Sequence, residues 1–214
     1  MSRFQEAEYL EKHLAMQLHE TVPPRRCAEM IADYEVSPEA AMEEIVGECG
    51  KQVFAGEIHA LLEAYYGPGG YAALWPRMDV LDASASAYYP STTWHLDGGP
   101  KKALKLFVYL NGVEEHGGNT LIIDRERTQR LRTAGALPLA LDERTEELTP
   151  VLEGLGLDTG TLGFDLKAGD ALLFDPFVLA HRCLPPKPGR KRYTVCFTIV
   201  PGDVGKAIRA SGSC

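Results

Sequence analysis

From Met78 to Val200 the chain is cut into short runs by turn signals, and this constrains the fold more than any other feature. Val80-Leu81, Ser84 to Tyr89, the segment around His95, Ala103 to Asn111, Thr120 to Ile123, Phe164 to Lys167, Ala171 to Phe174 and Arg192 to Val200 all read as extended. Pro90-Ser91-Thr92, Gly98-Gly99-Pro100, Gly117-Gly118-Asn119 and Ala168-Gly169-Asp170 punctuate them. Ala103–Asn111 (ALKLFVYLN) is mostly apolar, as a strand covered on both faces is. Seven or eight short strands of this kind predict a sandwich or barrel.

Helices precede the strands. Phe4, Ala7, Leu10, Leu14 and Leu18 recur three and four apart, so residues 3–20 predict one amphipathic helix, ended by Pro23-Pro24. A second runs from about Arg26 to Tyr34. Ser37-Pro38 opens a third, with Ser37 as cap and Pro38 at the first helical position. A fourth covers about Val53 to Tyr65 and stops at Gly67-Pro68-Gly69-Gly70. Residues 124–160 are charged and too long for a plain loop. They read as an insertion with helical pieces near Glu126–Thr133 and Glu143–Leu155. The expected organisation is one α+β domain, mainly β with a helical flank. Residues 1–76 form a helical buttress and 77–203 a β core carrying the 124–160 insertion.

Composition removes several function classes. The net charge of −8 argues against a nucleic-acid or anionic-membrane surface. No apolar run approaches the roughly 20 residues of a membrane span, and Met1–Glu20 lacks the apolar stretch of a signal peptide. Cys27, Cys49, Cys183, Cys196 and Cys214 are odd in number and never spaced C-x-x-C. They predict free thiols in a reducing cytoplasm rather than disulfides or a zinc cluster.

The chemistry centres on Trp94-His95-Leu96-Asp97. On an extended backbone, residues two apart leave the same face. His95 and Asp97 thus supply an imidazole and a carboxylate side by side. His181 is a third ligand candidate, and Arg190-Lys191-Arg192-Tyr193-Thr194 follows it. Two imidazoles and one carboxylate can hold Fe(II) and leave three positions open. A cation behind them suits a dicarboxylate co-substrate, and arginine meets a carboxylate with two parallel hydrogen bonds.

Several pieces then align in order: Tyr89-Pro90 ahead of His95-x-Asp97, Tyr109-Leu110-Asn111 followed by Gly117-Gly118-x-Thr120, Gly169-Asp170 with Phe174, and His181-x-x-x-Pro185 with Arg192-Tyr193. In this combination the chain resembles the Fe(II)/2-oxoglutarate-dependent dioxygenases, most closely the prolyl 4-hydroxylase type. The resemblance covers about Ser84 to Val200. It implies a double-stranded β-helix, a jelly-roll or cupin-like barrel with the metal at its mouth. It also implies that His95, Asp97 and His181 form the catalytic metal site. Arg192, with Thr194 on the same strand face, would take the tail of 2-oxoglutarate. Arg190 has the same parity and is the fallback, while Lys191 would face outward. Tyr89 and Tyr109 match tyrosines that contact 2-oxoglutarate.

The implied cofactors are Fe(II), 2-oxoglutarate as co-substrate and O2, with ascorbate as an accessory reductant. The implied reaction is hydroxylation of an unactivated C–H in a prolyl, peptidyl or small-molecule substrate; Asp97 is intact, which disfavours halogenation. Nucleic-acid and membrane partners are not expected, and oligomeric state is not legible. A phytanoyl-CoA-dioxygenase-like hydroxylase, a cupin-type metal protein or isomerase, and a non-catalytic binding module remain as alternatives. Trp94, Phe107 and Phe174 read as core, His59 as surface or packed, and His116 as an exposed turn residue. Arg125, Arg127, Arg130 and Arg132 read as a solvated helix face, with an anionic substrate as the sharper option.

Overall fold

In a computed structural model, residues 3–83 and 90–210 are described. The run expected over Ser84–Tyr89, and Tyr89 itself, lie outside the described residues. The order is α1 (Arg3–His13), β1 (Ala15–Leu18), α2 (Pro24–Val36), α3 (Pro38–Val53), α4 (Gly56–Tyr66), β2 (Tyr71–Asp82), β3 (Leu104–Tyr109), α5 (Val113–His116), β4 (Thr120–Ile122), α6 (Arg125–Thr133), α7 (Thr149–Gly154), β5 (Ala171–Phe174), β6 (His181–Cys183), β7 (Lys191–Pro201) and α8 (Gly202–Ala210). Five strands form an antiparallel sheet in the order β1-β5-β3-β7-β2, and β4 pairs with β6 in a second, two-stranded sheet.

Strand period explains how the large sheet divides its side chains. On β3, Leu104, Leu106 and Val108 join Val195, Phe197 and Ile199 of β7 in a core with Met30, Ile45, Cys49, Val53, Leu61 and Leu62 of helices α2 to α4. The alternate residues Phe107 and Tyr109 turn the other way, into a second core with Leu172, Phe174 and Cys196. Both faces are therefore covered, which is why β3 reads as a nearly continuous apolar run.

The helix expected over residues 3–20 stops at His13. Leu14 takes a left-handed φ of 58° and Ala15–Leu18 becomes an edge strand, Ala15 opposite Phe174 and Leu18 opposite Ala171. Leu10, Leu14 and Leu18 satisfy a helical spacing, but the unpaired backbone of β5 competes for these residues. Met16 then packs on the helical side and Leu14 and Ala15 on the other.

Ser37 joins α2 to α3 without a side-chain cap; its N–H donates to the Asp33 carbonyl, and Pro38 opens α3. The Phe164–Lys167 segment forms no strand; only Leu162 bridges to Ile122. The 124–160 segment carries two helices and builds its own small core, where Leu131, Leu148 and Leu152 pack with Trp94, Ile123 and Ala180. Asp124 caps α6, its carboxylate accepting from the Arg127 N–H at 2.9 Å.

The turn before β5 depends on Gly169. Its φ is +87°, and a Cβ there would stand 1.9 Å from the Val22 carbonyl oxygen. Buried Asp170 locks the same turn by accepting from the Lys167 N–H, the Glu20 N–H and Gln17 Nε2.

Candidate metal centre

His95 and His181 sit on facing segments of the smaller layer. Each main-chain N–H donates to the other's carbonyl at 3.1 Å. His95 lies on an extended stretch joined by this single bridge rather than on a full strand, while His181 opens β6. Asp97 is placed by its N–H, which donates to the Pro176 carbonyl at 2.9 Å. The imidazole rings lie with centroids 4.3 Å apart, and the edge of Phe174 packs on His181.

The ligand atoms converge. Asp97 Oδ1 is 3.5 Å from His95 Nε2 and 4.0 Å from His181 Nε2, and one ligand atom from each residue lies within 4.8 Å of the others. Nδ1 of His95 donates to the Thr93 carbonyl at 2.7 Å, and Nδ1 of His181 to the Leu179 carbonyl at 3.0 Å. A carbonyl only accepts, so both protons reside on Nδ1 and both Nε2 lone pairs are free for a metal. Burial, and then its neighbour His95, pushes His181 down to about 3, and burial lowers His95 as well. Both rings are thus neutral donors at neutral pH. Burial opposes ionisation of Asp97, but His181 and Lys105 outweigh it and hold the carboxyl below its ordinary range. Neutral imidazoles and one carboxylate form a set that binds divalent iron.

A cavity of about 150 Å³ opens beside them, lined by His95, His181, Lys105, Thr120, Arg192 and Thr194 among others. Arg192 is 3% exposed, stacks its guanidinium 5.2 Å over the Tyr109 ring and donates from Nη1 to Cys183 Sγ at 3.1 Å. Its Nε has no hydrogen-bond partner among the described residues. Burial alone would lower this guanidinium; Cys183 and Tyr109 outweigh that and keep it charged. A buried cation whose nearest acceptor is a thiol is a site short of an anion.

The other expected residues fall as follows. Thr194 lines the cavity, with its hydroxyl 3.4 Å from the Asp79 carbonyl. Tyr109 is fully buried and bonds its hydroxyl to Thr120 Oγ1 at 2.8 Å, one layer behind the cavity. Lys191 faces outward to Glu35 at 2.9 Å, and Arg190 is exposed in the preceding turn. Arg127 pairs with Asp124 and Asp158, Arg125, Arg130 and Arg132 are exposed, and none of the four lines the cavity. His59 is half exposed and bonds the Tyr71 hydroxyl at 2.8 Å.

His116 departs from expectation. It is 1% exposed, with its ring stacked on Tyr109 and Nδ1 accepting from the Gly118 N–H at 3.0 Å. The left-handed Gly117 folds the chain back beneath β3, and this buries the ring. Burial and the charge of Arg192 push it down to about 4.

Lys105 and Phe107 line the cavity, yet the sequence reads both as core strand. The available signal is a lone lysine in an apolar run, two and four residues before Phe107 and Tyr109 and hence on their face. Lys105 forms an ion pair through Nζ with Asp97 Oδ2.

No family model matches the chain and no curated protein matches it. Solved structures do. A protein described as the non-haem monooxygenase ThoJ superposes with a TM-score of 0.62 at 14% identity, over 92% of this chain and 79% of that one. The non-haem alpha-ketoglutarate-dependent epimerase SnoN from nogalamycin biosynthesis gives 0.58 at 12%, over 93% and 82%. A Pseudomonas putida prolyl-4-hydroxylase gives 0.50 at 12%, over 92% and 97%. SnoN has also been solved with Fe3+ and alpha-ketoglutarate. The chain shares the fold of these three solved structures, the non-haem alpha-ketoglutarate-dependent SnoN among them.

Proposed function

We propose that this chain is a non-haem iron oxygenase that uses 2-oxoglutarate to hydroxylate an unactivated C–H bond in a peptidyl or small-molecule substrate. The observation that carries the reading is one cavity lined by His95, His181 and the buried, anion-seeking Arg192, with Asp97 Oδ1 against both imidazoles. On this reading the five-stranded and two-stranded sheets are the two sides of a double-stranded β-helix.

His95 Nε2, Asp97 Oδ1 and His181 Nε2 would hold the metal. Ferrous iron, when bound there, supplies the open positions at which a keto acid chelates and dioxygen is activated. The chain's own part is placement. The Thr93 and Leu179 carbonyls fix both imidazoles in the donor tautomer. Arg192 takes the far carboxylate of 2-oxoglutarate through its planar fork, exchanging a thiol contact for two charge-assisted bonds. Thr194 and Thr120 add hydroxyl donors at the cavity wall, and Tyr109 keeps the guanidinium in place from behind. Phe107 and Phe174 wall the site against water. The Trp94 main-chain N–H donates to the Thr145 carbonyl at 2.8 Å, so the 124–160 segment rests against the extended stretch leading to His95 and is our candidate for the substrate-facing border. Buried free thiols at Cys27, Cys49, Cys183 and Cys196 support a reducing, cytoplasmic setting.

A cupin-type isomerase that ignores 2-oxoglutarate has no use for a guanidinium in the metal's own cavity, so Arg192 favours the oxygenase. The test is anaerobic addition of Fe(II) and 2-oxoglutarate. The expected result is a weak visible charge-transfer band and a melting temperature that rises with 2-oxoglutarate concentration. Absence of both the band and the shift would overturn the proposal.

A further inference from the structure

Lys105 stands on the inner face of β3, opposite Phe174 on β5 and Thr198 on β7. Its side chain is 16% exposed, and its ammonium lies 5.9 Å over the Phe107 ring. A lysine seldom enters such a face without a partner. Its partner is Asp97, and the two carboxylate oxygens are divided between different neighbours. Oδ1 faces His95 Nε2 and His181 Nε2, while Oδ2 is held by Lys105 Nζ.

That division bears on how many positions the metal keeps open. A carboxylate can bind a cation through one oxygen or through both. A six-coordinate ion held by two imidazoles and one oxygen has three positions left; held by both oxygens it has two. A chelating keto acid takes two, and nothing would then remain for dioxygen. An ammonium paired with Oδ2 takes one of its lone pairs and draws its charge, so Oδ2 is a poorer donor for a second metal bond.

We infer that Lys105 is a positioning residue that keeps Asp97 a one-oxygen metal ligand and so preserves the third open position. The inference rests on the proposed metal site but not on 2-oxoglutarate use. Its test is therefore made first with Mn(II) alone, counting metal-bound waters from the line broadening that 17O-water causes in the electron paramagnetic resonance spectrum. The wild-type protein is expected to carry three bound waters, Lys105→Met two, and Lys105→Arg three. A wild-type count of two, or three waters in Lys105→Met, would overturn the inference. Where Lys105→Met fails to fold, Lys105→Gln takes its place with the same expected count of two, and a wild-type count of two overturns the inference by itself.

A second arm uses Fe(II) and 2-oxoglutarate. Lys105→Met should bind Fe(II) and 2-oxoglutarate each within about threefold of wild type but lose the electron paramagnetic resonance signal that nitric oxide, standing in for dioxygen, gives on taking the third position, and Lys105→Arg should recover that signal. A purely structural lysine would weaken both ligands together. If wild type shows three Mn(II) waters and Lys105→Met two, yet neither responds to 2-oxoglutarate, the oxygenase reading fails and the role of Lys105 stands.

Discussion

His95 and His181 are joined twice over: their main chains exchange N–H···O bonds at 3.1 Å in both directions, and their rings face one another at 4.3 Å. Two residues 86 positions apart, counted from their numbers, are therefore set as one rigid unit before any ligand arrives. Asp97 hangs from the same segment, tied to the Pro176 carbonyl. The backbone bridge does not depend on the side chains, so His181→Ala should keep the fold and lose the metal. We expect Fe(II) or Mn(II) affinity to fall at least about 100-fold, beyond the range seen when only a ligand's supporting partner is removed. Far-ultraviolet circular dichroism should stay unchanged. Calorimetric metal titration of the two proteins checks this; equal affinities would remove His181 from the site.

The cation behind the cavity gives a sharper contrast. Arg192 is buried against Tyr109 and Cys183, whereas Arg190 is exposed only two residues earlier. Arg192→Met should abolish measurable 2-oxoglutarate binding. Arg192→Lys should retain the charge but lose the planar fork, costing about 10- to 100-fold in affinity. Arg190→Ala should bind like wild type. Titration of the metal-loaded proteins with 2-oxoglutarate distinguishes them, and a strong loss in Arg190→Ala would reassign the anchor.

Much of this was readable from residue types in order. The turn residues mark most strand limits because Gly and Pro act locally, through φ and the missing N–H. Strand period sets Arg192 and Lys191 on opposite faces, and the resemblance names Arg192 as the inward one, as its burial and the Lys191 pair with Glu35 have it. What stayed hidden depends on partners distant in sequence. Ala15–Leu18 is a strand only because β5 needs an edge partner. His116 is buried only because the chain turns at Gly117 beneath Tyr109. Lys105 reads as an interruption of a core strand until Asp97, eight residues earlier, is brought against it.

The buried His116 makes stability depend on pH. Its folded value is pushed from 6.5 down to about 4, so the folded state prefers the neutral ring. Above 6.5 the ring is neutral in both states and there is no penalty. Between 6.5 and about 4 the unfolded chain binds a proton that the folded chain refuses, so stability falls as pH drops, by about 1.4 kcal/mol per pH unit for one such group. His95 and His181 act in the same direction in the metal-free protein. His116→Gln should flatten the metal-free curve between pH 6.5 and 4 by one proton's worth of slope. Urea unfolding at half-unit pH steps measures it, and an unchanged slope would mean that His116 is already charged when folded.

Gly169 tests how firmly the turn sets the site. The turn hands the chain from Lys167 to β5, whose Phe174 packs on His181, and it brings the Gly169 N–H to the Tyr109 carbonyl at 2.7 Å. Alanine there meets two separate penalties. The left-handed backbone costs a non-glycine residue about 1–2 kcal/mol, and the added Cβ would lie 1.9 Å from the Val22 carbonyl oxygen. The backbone must move, and the hydrogen bond from the Val22 N–H to the Gly169 carbonyl, 3.1 Å long, moves with it. We expect Gly169→Ala to lose about 3 kcal/mol or more of unfolding free energy, at the upper end of single substitutions. Gly135→Ala is the control. Gly135 shares a positive φ, of +71°, but nothing lies within 4 Å of where an added methyl would stand, so this variant should lose only the backbone share. Denaturant midpoints of the two variants against wild type separate the contributions, and equal losses would show that contact with Val22 contributes nothing.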